Sequence, residues 1–133
     1  MSGNTKKFIL IVEDEIAYQQ LLKDRLTKEG FDVLQAKNGE EGLALALDRK
    51  PDFILLDVVM PKMGGMEVLR NLREGDKWGQ SVTVFILTNL SGDDEQRIND
   101  VTELLPTYYL EKTKATLAEI VEKIKEKLGI ESD

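Results

Sequence analysis

Three nearly continuous apolar segments mark the chain, starting at Phe8, Phe53 and Val82. Their branched residues and their lack of polar alternation are typical of strands that are covered on both faces. Two more mixed segments, residues 32–36 and 107–110, have the pattern of edge strands. The pattern therefore predicts a sheet with three central strands and two edge strands.

Helical patterns alternate with these strands, which is typical of an α/β fold. The first predicted helix has an apolar stripe of Ala17, Tyr18, Leu21, Leu22 and Leu26, and the second has one of Leu43, Leu45 and Leu47. The third helix is predicted over residues 65–73. Gly30 ends the first helix, Asn38 with Glu41 starts the second, and Pro51 ends the second. A fourth helix is predicted to begin at Asp93 or Asp94 and to end before Pro106, and the capping box of Thr116 and Glu119 starts the last helix.

The predicted fold is a doubly wound α/β structure, (βα)₅, with a five-stranded parallel sheet of flavodoxin-like order 2-1-3-4-5. Right-handed crossovers and three apolar central strands favour this order. We expect a disordered tail over residues 1–6, one domain over residues 7–129 and a C-terminal tail over residues 130–133. The crevice of such a sheet lies at the carboxyl ends of its first and third strands.

Carboxylates follow both of these strands. Glu13, Asp14 and Glu15 come directly after the first, and Asp57 comes directly after the third. Alone, Asp57 would be read as a turn cap and the acidic triplet as the start of a helix. Carboxylates that share one crevice repel each other unless a cation neutralises them, and oxygen ligands suit Mg²⁺. The sequence therefore predicts a magnesium site made by Glu13, Asp14 and Asp57.

Two further polar residues end the remaining strands on this side of the switch point. Thr88 follows the apolar core of the fourth predicted strand, and Lys112 follows the fifth predicted strand after Glu111. Each has an ordinary interpretation, as a β-branched strand residue and as a surface lysine. Together, a hydroxyl and an ammonium can hold two oxygens of a phosphoryl group. Asp57 would then be the nucleophile that forms an acyl phosphate.

Composition narrows the classes of function. A net charge of −7 makes direct binding to nucleic acid or to anionic membrane a poor expectation. The chain has no cysteine and no histidine, which excludes disulfides, thiolate or histidine metal sites and histidine-based catalysis on this chain. No apolar run approaches the length of a membrane span, so we expect a cytoplasmic protein.

The loop after Asp57 resembles that of receiver domains of two-component response regulators, and in particular of single-domain, CheY-like receivers. In that family the aspartate is followed by Met-Pro and, eight residues on, by Gly, which here are Met60, Pro61 and Gly65. The other family positions occur in the same order over residues 7–128, as Glu13, Asp14, Thr88, Tyr109 and Lys112.

The resemblance implies a role for each matching residue. Asp57 is the expected phosphoacceptor, and the carbonyl of Val59 joins the three carboxylates as a Mg²⁺ ligand. Lys112 pairs with the phosphoryl group, while Thr88 and Tyr109 form the switch that reports it. The chain is then a signalling phosphoacceptor that catalyses its own phosphorylation and dephosphorylation, not an enzyme acting on a separate substrate.

Four further positions are expected to modulate this chemistry. Two of them depart from the usual family pattern, and two are expected to affect the rate at which the phosphoryl group is hydrolysed. Thr113 stands where the family usually has proline after the lysine, so we expect a trans Lys112–Thr113 bond and a shifted loop. Asn89 stands where Ala or Gly is usual. Val59 and Leu90 are apolar and cannot orient the hydrolytic water, which predicts a long-lived phosphoryl group.

The implied partners are a sensor histidine kinase or a histidine phosphotransfer protein and an unidentified downstream protein, with the chain a monomer or a phosphorylation-dependent dimer. With no effector segment in the sequence, we expect a stand-alone regulator. The main alternative is a phosphorylation-independent, receiver-like interaction module. A haloacid-dehalogenase-type phosphatase would need an aspartate in place of Val59, and a flavodoxin would need a phosphate loop in place of Glu13–Glu15.

Overall fold

A computed structural model describes residues 6–58, 63–88 and 107–130, with the side chains of Thr88 and Thr107 outside the described part. All strands of its sheet are parallel, in the order β2-β1-β3-β4-β5. They are β1 (Phe8–Val12), β2 (Asp32–Ala36), β3 (Phe53–Leu56), β4 (Thr83–Thr88) and β5 (Thr107–Glu111). The predicted fold class and strand order are confirmed.

Five helices lie within the described residues, namely α1 (Ile16–Lys28), α2 (Gly39–Arg49), α3 (Gly65–Arg73), α4 (Lys77–Ser81) and α5 (Leu117–Leu128). The helix predicted to begin at Asp93 or Asp94 falls outside the described residues. The short α4 was not predicted. It begins where the side chain of Asp76 accepts a hydrogen bond from the backbone N–H of Gly79 at 2.9 Å.

Two apolar clusters cover the two faces of the sheet and make a three-layer structure. One face packs against α2 and α3 through residues such as Leu10, Ile54 and Leu69. The opposite face packs against α1 and α5 through residues such as Ile11 and Ile124. Because both faces are covered, the central strands are apolar along nearly their whole length, as the sequence pattern predicted.

The helix boundaries follow from local hydrogen bonds. Thr116 and Glu119 form the predicted reciprocal capping box at the start of α5. Asn38 caps α2 by accepting from the backbone N–H of Glu41 at 2.8 Å. Three members of the predicted apolar stripes do not belong to the core, because Ala17, Leu21 and Leu47 are exposed. Neighbours of similar character, Leu22 and Ala46, take the buried positions.

Candidate functional site

Glu13 lies directly after β1 and is held by the ends of two strands. Its backbone N–H donates to the carbonyl of Ala36 at 3.0 Å, which extends the pairing of β1 with β2 by one residue. The side-chain amide of Gln19 on α1 donates to the carbonyls of both Glu13 and Ala36, at 2.9 and 2.8 Å. These bonds fix the backbone from which the buried carboxylate of Glu13 projects.

Asp57 occupies the equivalent position after β3. Its backbone N–H donates to the carbonyl of Val12 at 3.0 Å, so that Glu13 and Asp57 leave adjacent strands at the same level. The start of α3 approaches this backbone closely. A Cβ on Gly65 would lie 2.3 Å from the carbonyl oxygen of Asp57, which explains why only glycine fits there.

Lys112 follows β5, and its side chain reaches across the sheet edge to the carboxylates. Its ammonium Nζ lies 2.7 Å from Oε1 of Glu13, 3.5 Å from Oδ2 of Asp57 and 3.3 Å from Oε1 of Glu15. The side chains of Lys112, Glu13 and Asp57 are only 9%, 3% and 7% exposed, whereas that of Glu15 is 62% exposed. The structure therefore brings together a buried ion cluster with one solvent-facing member.

Burial dominates the electrostatics of this cluster. Burial raises the pKa of Glu13 to about 7, against the hydrogen bonds from Lys112 and from the backbone N–H of Glu15, which lower it. For Lys112, burial acts to lower the pKa, but the hydrogen bond to Glu13 and the charge of Asp57 outweigh it and leave the pKa above its ordinary value. The raised pKa of Glu13 is thus mainly an effect of burial, whereas the raised pKa of Lys112 is an effect of the carboxylates around it.

Asp14 completes the predicted group of three carboxylates. Oxygen atoms of Glu13, Asp14 and Asp57 all lie within 4.8 Å of one another, and Asp14 is the exposed member. The group offers only oxygen ligands, which is what Mg²⁺ prefers, and its exposed side leaves room for the waters that Mg²⁺ retains. The donor set therefore fits a magnesium ion.

The two adjacent tyrosines of β5 lie on opposite faces of the sheet. Tyr109 is partly buried and packs against the cluster of α2 and α3. Tyr108 packs against the cluster of α1 and α5, with its ring 5.5 Å from that of Phe85 in an edge-to-face arrangement. Of the two tyrosines, Tyr109 is therefore the one on the sheet face that α2 and α3 cover.

Several predicted site residues are described only in part. The backbone of Thr88 ends β4 and is paired with Glu111 of β5, but its side chain lies outside the described part. Val59, Asn89 and Leu90 also lie outside the described residues. Thr113 is exposed, in a turn where the backbone N–H groups of residues 114 and 115 both donate to the carbonyl of Glu111. The trans state of the Lys112–Thr113 bond stays a prediction.

Sequence reasoning missed the roles of three residues on or next to α1. Gln19 clamps the ends of β1 and β2, Glu15 contacts Lys112, and the ring of Tyr18 lies 4.5 Å from the Lys112 ammonium. Tyr18 was predicted only as part of an apolar stripe. The polar Gln19 beside that stripe was the one available signal, since a long amide next to a strand end can bond to open carbonyls.

Within the described ranges, no helix has the length and apolar character that a membrane span requires.

Comparisons with known proteins agree with this geometry. The family model of the response regulator receiver domain matches residues 9–125. The alkaline phosphatase synthesis transcriptional regulatory protein PhoP of Bacillus subtilis is 41% identical over 90 residues, which cover 68% of this chain and 35% of that protein. The polar-differentiation response regulator DivK of Brucella anthropi is 32% identical over 92 residues, covering 69% of this chain and 75% of that protein.

A solved structure gives the same result at the level of the fold. The response regulator protein TrrA from Thermotoga maritima, in complex with Mg(2+)-BeF, is 31% identical with a TM-score of 0.76, covering 90% of this chain and 97% of that one. The chain spans about a third of the length of the transcriptional regulators that it matches. Because the family model covers most of the sequence and the fold and acidic crevice agree with it, the chain belongs to the receiver domain family of response regulators.

Proposed function

We propose that this receiver domain accepts a phosphoryl group on Asp57 in a Mg²⁺-dependent reaction and signals through protein contacts that depend on it. The contact between the Lys112 ammonium and Oδ2 of Asp57, at 3.5 Å, is the observation that carries the proposal. It puts a buried cation beside the carboxylate that directly follows the central strand β3. A phosphoryl group that arrives there meets a positive charge already in place.

The charge balance of the site supports the need for a divalent ion. Three carboxylates lie within one group, and Lys112 supplies a single compensating charge. An anionic donor would be repelled by this excess of negative charge. Bound Mg²⁺ would neutralise the group and polarise the phosphoryl oxygens. Glu13, Asp14 and Asp57 would hold the ion, with the backbone carbonyl of Val59 as a further proposed ligand.

In the proposed transfer, an oxygen of Asp57 bonds to phosphorus as the bond between phosphorus and the donor's imidazole nitrogen breaks. The imidazole leaves, and the product is an aspartyl phosphate. Lys112 would pair with a phosphoryl oxygen, and it has only a short distance to move. This sequence has no histidine, so the proposed donor is a phosphohistidine outside it, on a sensor kinase or a phosphotransfer protein.

For the switch, we propose that the hydroxyl of Thr88 moves toward the phosphoryl group and that Tyr109 turns inward behind it. The partly buried position of Tyr109 on the α2 and α3 face supports a ring that can exchange between two packings. Such a change alters the surface that a downstream protein contacts. Size-exclusion chromatography with light scattering would tell whether the modified form stays a monomer or dimerises.

The match covers three quarters of the response regulator DivK, so a receiver domain makes up most of that relative, which agrees with the proposed output through protein contacts. The net charge of −7 argues against direct contact with nucleic acid.

Intact mass spectrometry after incubation with acetyl phosphate tests the proposal. We expect one added phosphoryl group that requires Mg²⁺, is absent in Asp57→Asn and is retained in Asp48→Asn, which changes an exposed aspartate on α2. Uptake in Asp57→Asn would refute the assignment of the acceptor. No uptake by the wild-type chain would favour a receiver that works without phosphorylation.

A further inference from the structure

Tyr18 is an uncharged neighbour of the ion cluster that Lys112 forms with Glu13, Glu15 and Asp57. It lies on α1, one turn after Asp14, and its ring packs partly against the apolar cluster of α1 and α5. The same ring faces Lys112, whose Nζ lies 4.5 Å from the ring centroid. This distance is within the range at which the face of an aromatic ring attracts a cation.

The hydroxyl of Tyr18 does not account for this position. It is buried and makes no hydrogen bond with any of the described residues. Burying an unpaired hydroxyl costs free energy, so the phenol oxygen is a disadvantage here. The useful part of the side chain is therefore its ring, which both fills apolar space and faces a cation.

Lys112 gains from such a partner because its four-carbon stem is flexible and its carboxylate partners differ widely in burial. Glu13 and Asp57 draw the ammonium into the buried crevice, whereas Glu15 is exposed and offers it a site in solvent. The ring of Tyr18 adds an attraction that Glu15 cannot supply. It also excludes water from one side of the ammonium, which strengthens the remaining interactions.

We propose that Tyr18 is a positioning residue for Lys112, whose ring holds the ammonium against Glu13 and Asp57 where the phosphoryl group arrives. The proposal rests on the proposed role of Asp57 as phosphoacceptor. Tyr18 itself touches none of the reacting atoms, so its effect on the reaction must pass through Lys112.

The test measures the initial rate of Asp57 phosphorylation by acetyl phosphate with Mg²⁺ in wild type, Tyr18→Phe and Tyr18→Leu, each with Lys112 or with Lys112→Ala. We expect Tyr18→Phe to keep the rate, because it keeps the ring. Tyr18→Leu should lower the rate by about two- to thirtyfold, the factor that corresponds to typical cation–π strengths. In the Lys112→Ala background the same substitution should have no effect.

A merely structural role gives a different pattern. Lost packing would slow Tyr18→Leu by the same factor in both lysine backgrounds, which would overturn the proposal. An unchanged or faster rate in Tyr18→Leu, or an equal loss in Tyr18→Phe, would overturn it as well. Urea unfolding checks that Tyr18→Leu is folded, and Tyr18→Met takes its place if it is not.

A second readout does not depend on phosphorylation. In chains with labelled lysine, the ring should shift the Hε resonance of Lys112 upfield, with Lys112→Ala giving the assignment. We expect the shift in wild type and in Tyr18→Phe and its loss in Tyr18→Leu. Absence of the upfield shift in the wild-type chain would overturn the proposal. This readout remains available if Lys112→Ala takes up no phosphoryl group and the rates in that background cannot be compared. Failure of the wild-type chain to be phosphorylated, with the shift present, would instead count against the proposed function.

Discussion

Replacing Lys112 with methionine removes the cation that lies between two buried carboxylates. The ammonium is 2.7 Å from Glu13 and 3.5 Å from Asp57, and all three side chains are less than a tenth exposed. Breaking a buried ion pair by removing one partner typically costs about 3–5 kcal/mol, because the remaining charge is left without compensation. The contact with exposed Glu15 adds little. We therefore expect the free energy of unfolding to fall by about 3–5 kcal/mol at pH values where Glu13 is ionised.

The size of this loss should depend on pH through Glu13. Burial raises the pKa of Glu13 from 4.5 to about 7 in the folded chain, so the folded state keeps a proton that the unfolded state has lost. The contribution of Glu13 is therefore fully present below pH 4.5 and falls as the pH rises to about 7. Over that window it amounts to about 3 kcal/mol. Without Lys112 the pKa rises further, so the variant should continue to lose stability above pH 7 while the wild type levels off.

Urea unfolding of both chains in EDTA, at about pH 5 and about pH 8, measures this effect. Lys114→Met is the matched control, since Lys114 is 81% exposed and pairs across a turn with Glu111. It should change the free energy of unfolding by less than about 1 kcal/mol. Adding Mg²⁺ at pH 8 should restore part of the stability of Lys112→Met. An equal loss at both pH values, or one no larger than that of the control, would refute the electrostatic reasoning.

Three further changes test other parts of the structure. Gly65→Ala places a Cβ 2.3 Å from the carbonyl oxygen of Asp57, so it should lower the free energy of unfolding by about 1–3 kcal/mol and slow phosphorylation. Its control is Gly64→Ala, where the nearest atom would be 3.3 Å away and the effect should be smaller in urea unfolding. The carboxylate of Glu29 accepts hydrogen bonds from Lys125 of α5 and Arg25 of α1, and these bonds lower its pKa. Glu29→Gln weakens both interactions, so it should lower the free energy of unfolding by up to about 1 kcal/mol at neutral pH. A lowered pKa in the folded chain stabilises it fully above pH 4.5, the unfolded value, and this stabilisation is lost as the pH falls through the folded pKa. Urea unfolding should therefore show that the difference in stability between Glu29→Gln and wild type disappears at acid pH. Finally, Val59→Asn should shorten the lifetime of the phosphoryl group, measured as its loss by intact mass, because an amide can orient the attacking water.

Each of these has an outcome that contradicts it. Equal stability of the two glycine variants would mean that the close approach at Gly65 is not a constraint. A Glu29→Gln difference that persists at acid pH would assign the effect to packing. An unchanged decay rate in Val59→Asn would mean that another group controls hydrolysis.

The strand order could be predicted because each central strand is covered on both faces and therefore has a simple apolar pattern. The strand-end positions of Glu13, Asp57 and Lys112 followed from that order, since parallel strands end at one edge. Their grouping in the structure agrees with the expected crevice. Their roles in phosphoryl transfer stay predictions.

Side-chain contacts between distant segments could not be predicted from local patterns. The pairing of Lys112 with Tyr18 joins residues that are close only after the sheet forms. The short helix α4 was missed because five residues give no helical periodicity, and its signal was the cap by Asp76. Leu21 and Leu47 belong to the predicted apolar stripes but are exposed, because a series of closely spaced leucines does not tell which ones face the sheet.

The most direct test of the central claim is chemical identification of the modified residue. Borohydride reduces an aspartyl phosphate to homoserine, and peptide mass spectrometry then locates it. After incubation with acetyl phosphate and Mg²⁺, we expect homoserine in place of Asp57 and at no other acidic residue. Homoserine at Asp14, or none in a chain whose intact mass has increased by one phosphoryl group, would contradict the account.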